Sequence, residues 1–257
     1  LGGWRLGEDL WPHGFGSVWI LHGSSRYALA ACRAGISKRI GYGIGWQDAL
    51  LTSPHGLSRR DRSLPSIAKA NRLLELHSVS LSDAFPTLPL TDAARQVAET
   101  ALAALPRPVI ALAIGSSEDF KQWGEANFGN LIQGLREQRD YSILLVGGPR
   151  DTALAREIVE RFQNPPWLVK LIDAPILEAA AAASLCAACI GNDTGMLNAA
   201  AAVGTPTLGL FGGSVPLHDD PRITSLSPAG RVRHGTDRMA EISVDMVLES
   251  FGRLDLG

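Results

Sequence analysis

The chain has 257 residues, of which 46% are hydrophobic and 19% are charged, and its formal net charge is −2. A hydrophobic share this high with so little net charge excludes an intrinsically disordered chain. Three cysteines are too few for a disulfide scaffold and favour a reducing compartment. The start of the sequence lacks the basic and apolar regions of a signal peptide, and no run approaches the ~20 strongly apolar residues of a membrane span, so we expect a cytoplasmic protein.

Charge is distributed unevenly along the chain. Residues 1–80 carry ten basic and five acidic side chains, a net charge of +5, whereas residues 81–257 carry a net charge of −7. A basic segment joined to an acidic segment suggests two domains with different partners. The alternative is that both sets of charges only form solvated surfaces.

The N-terminal part of the chain predicts few regular elements. Strands are expected at residues 17–21 and 38–42, and helices at residues 27–34 and 67–77. Between them, residues 43–65 are rich in Gly, Ser, Pro and Arg and are expected to form a loop. The proline-punctuated segment 85–90 is the preferred boundary, which gives domains at residues 1–90 and 91–257.

The C-terminal part predicts a regular alternation of strands and helices. After a helix at 93–105, short apolar strands are expected at residues 109–114, 142–146, 168–172, 188–190 and 206–211. Helices are expected at residues 124–138, 151–162, 176–186 and 194–203. Fully apolar strands that alternate with helices predict a parallel sheet covered on both faces.

The loops that follow these strands are the places to expect a ligand, because ligands bind beyond the carboxyl ends of parallel strands. After the first strand, Ser116, Ser117 and Lys121 offer hydroxyl and ammonium donors that suit phosphate oxygens. After the second, Gly147-Gly-Pro-Arg-Asp151 permits a tight turn, and Asp151 can cap a helix or accept hydrogen bonds from ribose hydroxyls. Each loop alone is compatible with a purely structural role.

The loop after the fourth predicted strand reads Gly191-Asn-Asp-Thr-Gly195. Asp193 is the predicted N-cap of the next helix, and the helix N-terminus suits an anion through its N–H groups and dipole. A capped structural helix is the alternative. Because all three loops follow parallel strands, we expect them to converge on one crevice.

Other motifs favour no further chemistry. Cys186 and Cys189 have a C-x-x-C spacing, but they run from a helix end into a buried strand, so core packing is expected. The six histidines have no ligand spacing, and no metal site is expected. The sequence contains no G-x-G-x-x-G, G-x-S-x-G, H-E-x-x-H or P-loop motif, which disfavours nicotinamide, serine hydrolase, zinc protease and P-loop interpretations.

Taken together, the loops resemble glycosyltransferase family 9, the ADP-heptose:lipopolysaccharide heptosyltransferases. The resemblance lies in the order and spacing of Lys121-Gln-Trp123 with Phe128, Val146-Gly-Gly-Pro149, Gly191-Asn-Asp-Thr-Gly195, Gly204-Thr-Pro206 and Leu210-Phe-Gly212. It is weaker at residues 18–24 and 39–42. The resemblance implies an α/β, GT-B-like fold of two Rossmann-like domains with parallel sheets, and the last helix is a candidate to pack back on the N-terminal domain.

The resemblance also implies roles for single residues. It places the ADP-sugar donor on Ser116, Ser117 and Lys121 (phosphates), Asp151 (ribose), the backbone near Ala174 (adenine), Asp193, Thr194 and Gly195 (diphosphate and sugar) and Asn198. Lys121 is the candidate catalytic group, because it would stabilise the leaving charge. The implied reaction transfers a heptose or related sugar to a lipopolysaccharide core acceptor with inversion, without metal or other cofactor.

Two departures from the family pattern affect these expectations. Where the family has Gly-Pro-Met-His, this chain has Gly195-Met-Leu-Asn198, and an asparagine cannot carry a positive charge, which leaves donor affinity and identity open. The chain also begins after the family's first strand and the Gly-Asp loop that supplies the general base. We therefore expect an incomplete N-terminal domain and nominate no base, since nothing in the context of Glu8 or Asp9 supports that role.

The expected partners follow from the implied substrates. An acceptor such as phosphorylated lipid A–Kdo is anionic and membrane-borne, so Arg59, Arg60 and Arg62 are expected to attract it and the inner-membrane surface. No nucleic-acid partner is expected. Two alternatives stay open: a non-catalytic nucleotide- or sugar-binding module of the same fold, and another GT-B enzyme that uses a UDP-sugar.

Overall fold

The computed structural model describes residues 2–81, 85–218 and 220–254. The chain divides into two compact units, of which the first ends at Pro86 and the second begins at Thr87. In the described part of the chain, none of the helices combines the length and the apolar character that crossing a bilayer requires.

The first unit contains a small parallel sheet with helices packed around it. Its elements are α1 (Gly2–Leu10), β1 (Ser17–Ile20), α2 (Ser25–Arg33), β2 (Lys38–Gly41) and α3 (Ser66–Leu76). The two strands pair in parallel, from Ser17 opposite Lys38 to Ile20 opposite Gly41. Both predicted strands and both predicted helices are confirmed, with ends that differ by one or two residues.

Helix α1 has no counterpart among the predicted elements. Three of its nine residues are glycine, the poorest helix former after proline. Packing explains why the segment is nevertheless helical: α1 lies against α2, and a Cβ at Gly7 would stand only 3.0 Å from the Ala30 carbonyl oxygen. The glycine that weakens the helix locally therefore allows its close approach to a neighbour.

The second unit is a doubly wound sheet. Its strands are β3 (Val109–Ala113), β4 (Ser142–Gly147), β5 (Leu168–Ile172), β6 (Ala188–Asn192), β7 (Thr207–Leu210) and β8 (Ile223–Leu226). Its helices are α4 (Asp92–Leu102), α5 (Glu125–Gln138), α6 (Thr152–Arg161), α7 (Ile176–Ser184), α8 (Gly195–Ala202) and α9 (Val244–Phe251). All strand pairs are parallel and the order is β5-β4-β3-β6-β7-β8, so the direction of winding reverses between β3 and β6.

Side chains of β3 alternate between two cores. Ile110 and Leu112 belong to the cluster that contains α5 and α6, whereas Val109, Ala111 and Ala113 belong to the cluster that contains α4 and α7. All five residues are buried. This double burial explains why the strand is apolar throughout rather than alternating in polarity.

The two cysteines of the C-x-x-C spacing lie in the second of these cores. Cys186 and Cys189 are buried and free. Burial raises the pKa of the Cys186 thiol to about 12 and also raises that of Cys189. Both thiols therefore stay protonated, and the prediction that they pack in the core is confirmed.

The C-terminal end of the unit contains two elements outside the predicted alternation. Strand β8 has only four residues, two of them polar, and it lies at the edge of the sheet beside β7. Helix α9 packs on α5, and its Val247 and Phe251 lie in the core of the second unit. The last described helix thus buries its apolar side chains in the second unit, whereas the resemblance made it a candidate for the N-terminal domain.

Candidate active site

A cleft of ≈ 400 Å³ lies in the second unit where the winding of the sheet reverses. It is lined by residues 115–117 after β3, 146–151 at the end of β4, 174, 176 and 179 around the start of α7 and 194–196 at the start of α8. This edge of a doubly wound sheet is the place where such folds bind ligands.

Six of the nine residues predicted to contact the donor line this cleft. They are Ser116, Ser117, Asp151, Ala174, Thr194 and Gly195. The other three, Lys121, Asp193 and Asn198, are not among the lining residues. The predicted convergence of the three loops is therefore confirmed, although it does not include every side chain.

Thr194, not Asp193, caps helix α8. The Thr194 hydroxyl oxygen accepts a hydrogen bond from the backbone N–H of Leu197 at 3.4 Å, from an extended backbone conformation that suits an N-cap. The prediction that Asp193 caps this helix is wrong, because its carboxylate is engaged by other side chains. Asn198 donates through Nδ2 to the Thr194 carbonyl oxygen at 2.8 Å and is exposed.

Lys121 lies between two carboxylates. Its Nζ is 3.0 Å from Glu118 Oε2 and 3.1 Å from Asp193 Oδ2. The Ser214 hydroxyl donates to the same Asp193 oxygen at 2.6 Å. Burial by itself lowers the pKa of Lys121, but the hydrogen bonds and charges of Glu118 and Asp193 outweigh it and raise the pKa above its usual value. The ammonium is therefore charged at neutral pH.

Asn192 ties the lysine-bearing loop to the end of β6. Its Nδ2 lies 3.0 Å from the Ile114 carbonyl oxygen, 3.1 Å from that of Gly115 and 3.0 Å from Gln122 Oε1. Its Oδ1 accepts from the backbone N–H of Trp123 at 3.3 Å. The side chain is fully buried, so these contacts take the place of water. Asn192 thereby positions the loop that holds Lys121.

Asp151 stabilises the glycine turn after β4. Its Oδ2 accepts from the backbone N–H of Gly148 at 2.8 Å, and only 8% of the residue is exposed. A Cβ at Gly115 would overlap that oxygen, and one at Gly147 would lie 2.9 Å from it. The glycines are therefore required where the carboxylate packs. A contact between Asp151 and a ribose remains a prediction.

Three functional candidates were missing from the predicted site, although each had a signal in the sequence. Glu118 stands three residues before Lys121, a spacing that often forms an ion pair. Asn192 is a polar residue at the end of an otherwise apolar strand. Ser214 follows β7, and ligands bind beyond the carboxyl ends of parallel strands, so its position in the sequence marks it as a candidate.

The arginines predicted to attract an anionic acceptor lie in the first unit. Arg59, Arg60 and Arg62 are exposed, and Arg62 Nε also donates to the Leu57 carbonyl oxygen at 3.2 Å. Near the start of the chain, Glu8 forms an ion pair with Arg33 at 3.0 Å. Within the residues that the structure describes, no group of three or more His, Cys, Asp or Glu side chains is placed to hold a metal ion.

A doubly wound parallel sheet, with hydroxyls, a glycine turn and a helix N-terminus around its switch point, defines a Rossmann-like fold. The chain matches the family described as Glycosyltransferase family 9 (heptosyltransferase) over residues 3–227, and it belongs to that family. The resemblance read from the loop motifs is thus confirmed. A search of curated proteins finds no match.

Solved structures share the fold at low sequence identity. The E. coli ADP-heptose lps heptosyltransferase II is 21% identical, with 97% of this chain and 79% of that chain covered and a TM-score of 0.73. The family 9 glycosyl transferase from Veillonella parvula DSM 2008 is 19% identical, with 98% and 77% covered and a TM-score of 0.74. E. coli heptosyltransferase WaaC with ADP-2-deoxy-2-fluoro heptose is 17% identical, with 98% and 76% covered and a TM-score of 0.68. The predicted α/β class with GT-B-like, Rossmann-type sheets is confirmed.

Proposed function

We propose that this protein transfers a heptose or a related sugar from an ADP-sugar to an anionic lipopolysaccharide core acceptor, with inversion at the anomeric carbon. The observation that carries the proposal is the cleft of ≈ 400 Å³ at the switch point of the sheet. Lys121 forms an ion pair with Asp193, which directly precedes the cleft-lining residues Thr194 and Gly195. Membership of family 9 supports the reaction class. Two structures of E. coli heptosyltransferase WaaC that share the fold, one with ADP-2-deoxy-2-fluoro heptose and one with ADP, support the donor class.

In the proposed reaction, the donor's diphosphate meets Ser116, Ser117 and the N-terminus of α8, and its adenosine lies near Asp151 and Ala174. An acceptor hydroxyl forms a bond to the anomeric carbon while the bond from that carbon to the diphosphate oxygen breaks. The leaving ADP takes the electron pair, and the hydroxyl proton passes to a base. Lys121 neutralises part of the charge that develops on the leaving group.

We propose that this charge is neutralised by the protein without a resident metal ion. The raised pKa of Lys121 keeps its ammonium available, and the dipole of α8 adds positive potential at Thr194 and Gly195. A metal chelator in the assay is then expected to leave turnover unchanged.

On the acceptor side, we propose that the exposed Arg59, Arg60 and Arg62 attract an anionic glycolipid and the inner-membrane surface, so that the protein acts as a peripheral membrane enzyme of the cytoplasmic face. The net charge of +5 over residues 1–80 supports this assignment.

The donor proposal is tested by ADP release from ADP-heptose and by ADP binding, for the wild type and for Lys121→Ala. We expect Lys121→Ala to lower turnover by about 100-fold, as loss of one preorganised charge-stabilising donor does, and to weaken ADP binding. Lys170→Ala is the matched control, because Lys170 is exposed on β5 and is not one of the residues that line the cleft. It should behave as the wild type.

The other outcomes separate the alternatives. Binding of ADP without turnover would identify a non-catalytic nucleotide-binding module. Turnover of a UDP-sugar in preference to ADP-heptose would identify another GT-B enzyme. Wild-type ADP binding that Lys121→Ala leaves unchanged would remove Lys121 from the site.

A further inference from the structure

Glu118 engages two of the groups expected to hold the donor's phosphates. Its carbonyl oxygen accepts from the Ser116 hydroxyl at 2.7 Å, and its carboxylate Oε2 lies 3.0 Å from Lys121 Nζ. Its second carboxylate oxygen is 3.7 Å from His234 Nε2. In this arrangement Glu118 accepts the hydrogen bonds of Ser116 and Lys121, the two donors of the loop after β3 that are expected to bind phosphate.

The charges around Lys121 oppose an incoming diphosphate. One ammonium faces two carboxylates, Glu118 and Asp193, so the three groups together carry a net negative charge. The side chain of Lys121 is only 14% exposed, and solvent screens such a site less than an open surface. Diphosphate oxygens that approach the lysine would therefore meet like charge unless a carboxylate moves away.

Of the two carboxylates, Glu118 is the one placed to move. Asp193 is 18% exposed and is also held by the Ser214 hydroxyl at 2.6 Å. Glu118 is 35% exposed and has one more rotatable bond. It also borders His234, whose side chain is 65% exposed and offers an alternative partner.

We propose that Glu118 is a gate for the donor: its carboxylate occupies the place on Lys121 that the diphosphate takes, and it turns to His234 when the donor binds. This inference rests on the proposed donor site. It makes Glu118 a determinant of donor affinity that acts through charge, so its effect grows with the number of phosphate groups on the nucleotide.

The test compares dissociation constants of ADP, AMP and adenosine by calorimetry for the wild type, Glu118→Gln and Glu157→Gln. Glu118→Gln keeps the size and the backbone bonds of the residue but removes the charge. We expect it to bind ADP about tenfold more tightly, AMP with a smaller gain and adenosine unchanged, because a neutral amide no longer competes for Lys121. Glu157→Gln, an exposed change on α6, should match the wild type.

His234→Ala tests where the carboxylate goes. If Glu118 turns to His234, this variant binds ADP about threefold more weakly than the wild type, whereas the same change made together with Glu118→Gln has no effect. Equal ADP affinity of His234→Ala and the wild type would remove His234 from the proposal.

The remaining outcomes separate this inference from the donor proposal. If the wild type binds ADP and Glu118→Gln binds it equally or more weakly, the gate is wrong and the donor site stands. An equal gain for adenosine would show a loosened loop rather than a charge effect, and would also overturn the gate. If neither protein binds ADP, the donor proposal fails and the gate fails with it.

Discussion

Both units contain a parallel sheet, but the sheet of the first unit has two strands and that of the second has six. In the second unit, β3 is buried along its whole length between two helical layers. In the first unit, β1 has one buried residue out of four, and large aromatic side chains such as Trp11 (65%) and Trp46 (85%) are exposed. Parallel sheets are stable when both of their faces are buried, and a sheet of two four-residue strands buries little apolar surface. The difference shows where a rigid, preorganised site can be built.

Both units nevertheless place a cleft at the carboxyl ends of their strands. The second unit has the cleft of ≈ 400 Å³ around residues 115–117 and 194–196. The first unit has one of ≈ 570 Å³, lined by His22 after β1, Tyr42 after β2 and Lys69 on α3, among others. The electrostatics differ in sign, since residues 1–80 are net basic and the rest of the chain is net acidic. This pattern agrees with the proposal that the first unit attracts an anionic acceptor and the second unit binds the donor.

The largest expected effect concerns the contact between β3 and β6. A Cβ at Gly191 would overlap the Ala113 carbonyl oxygen, so Gly191→Ala should destabilise the second unit by about 3 kcal/mol, at the upper end of overpacking costs. Gly195→Ala, where a Cβ meets nothing within 4 Å, is the control and should change stability by less than about 1 kcal/mol. Urea unfolding measures both. Equal midpoints for the two variants would contradict the close approach of the strands.

A smaller loss is expected at Asn192. Asn192→Ala leaves the buried carbonyl of Ile114 and the half-buried carbonyl of Gly115 without its amide, which should cost about 2 kcal/mol in urea unfolding. Because the same amide positions the lysine-bearing loop, ADP binding should weaken as well. Asn198→Ala changes an exposed asparagine and should stay within about 0.5 kcal/mol of the wild type. A stable Asn192→Ala protein with normal ADP affinity would show that this link is dispensable.

The smallest expected effect tests the difference in charge between the two units. Arg59→Glu with Arg60→Glu should weaken binding to vesicles that contain anionic lipid by at least about fivefold, since each basic residue near such a surface adds about 1 kcal/mol. Arg62 is left in place because it also bonds Leu57. Arg156→Glu with Lys170→Glu makes the same reversal at exposed positions of the second unit and should have little effect. Sedimentation with vesicles measures both, and equal losses in the two variants would contradict an acceptor-side role for the first unit.

Much of this architecture could be predicted because it follows from periodicity. Apolar runs at residues 109–114, 142–146 and 168–172 predict buried strands, and the helices between them predict parallel pairing. Parallel strands end at the same edge, which is why three loops could be assigned to one cleft before any coordinates. Helix α1 could not be predicted, because its glycines have low helix propensity and only packing against α2 stabilises the helix. Strand β8 escaped because four residues at a sheet edge carry no distinct pattern.

The sequence by itself determined the alternation of strands and helices, the family and six of the residues that line the cleft, because these depend on local patterns along the chain. Only the tertiary structure decided which side chains pair across the loops. Lys121 and Asp193 are distant in sequence, and they meet because β3 and β6 are neighbours in the sheet. Strand order depends on how the whole unit buries its two apolar faces, and no local pattern records it. Because the Asp193 carboxylate pairs with Lys121, Thr194 is the N-cap of α8. Glu118 is the second carboxylate that contacts Lys121.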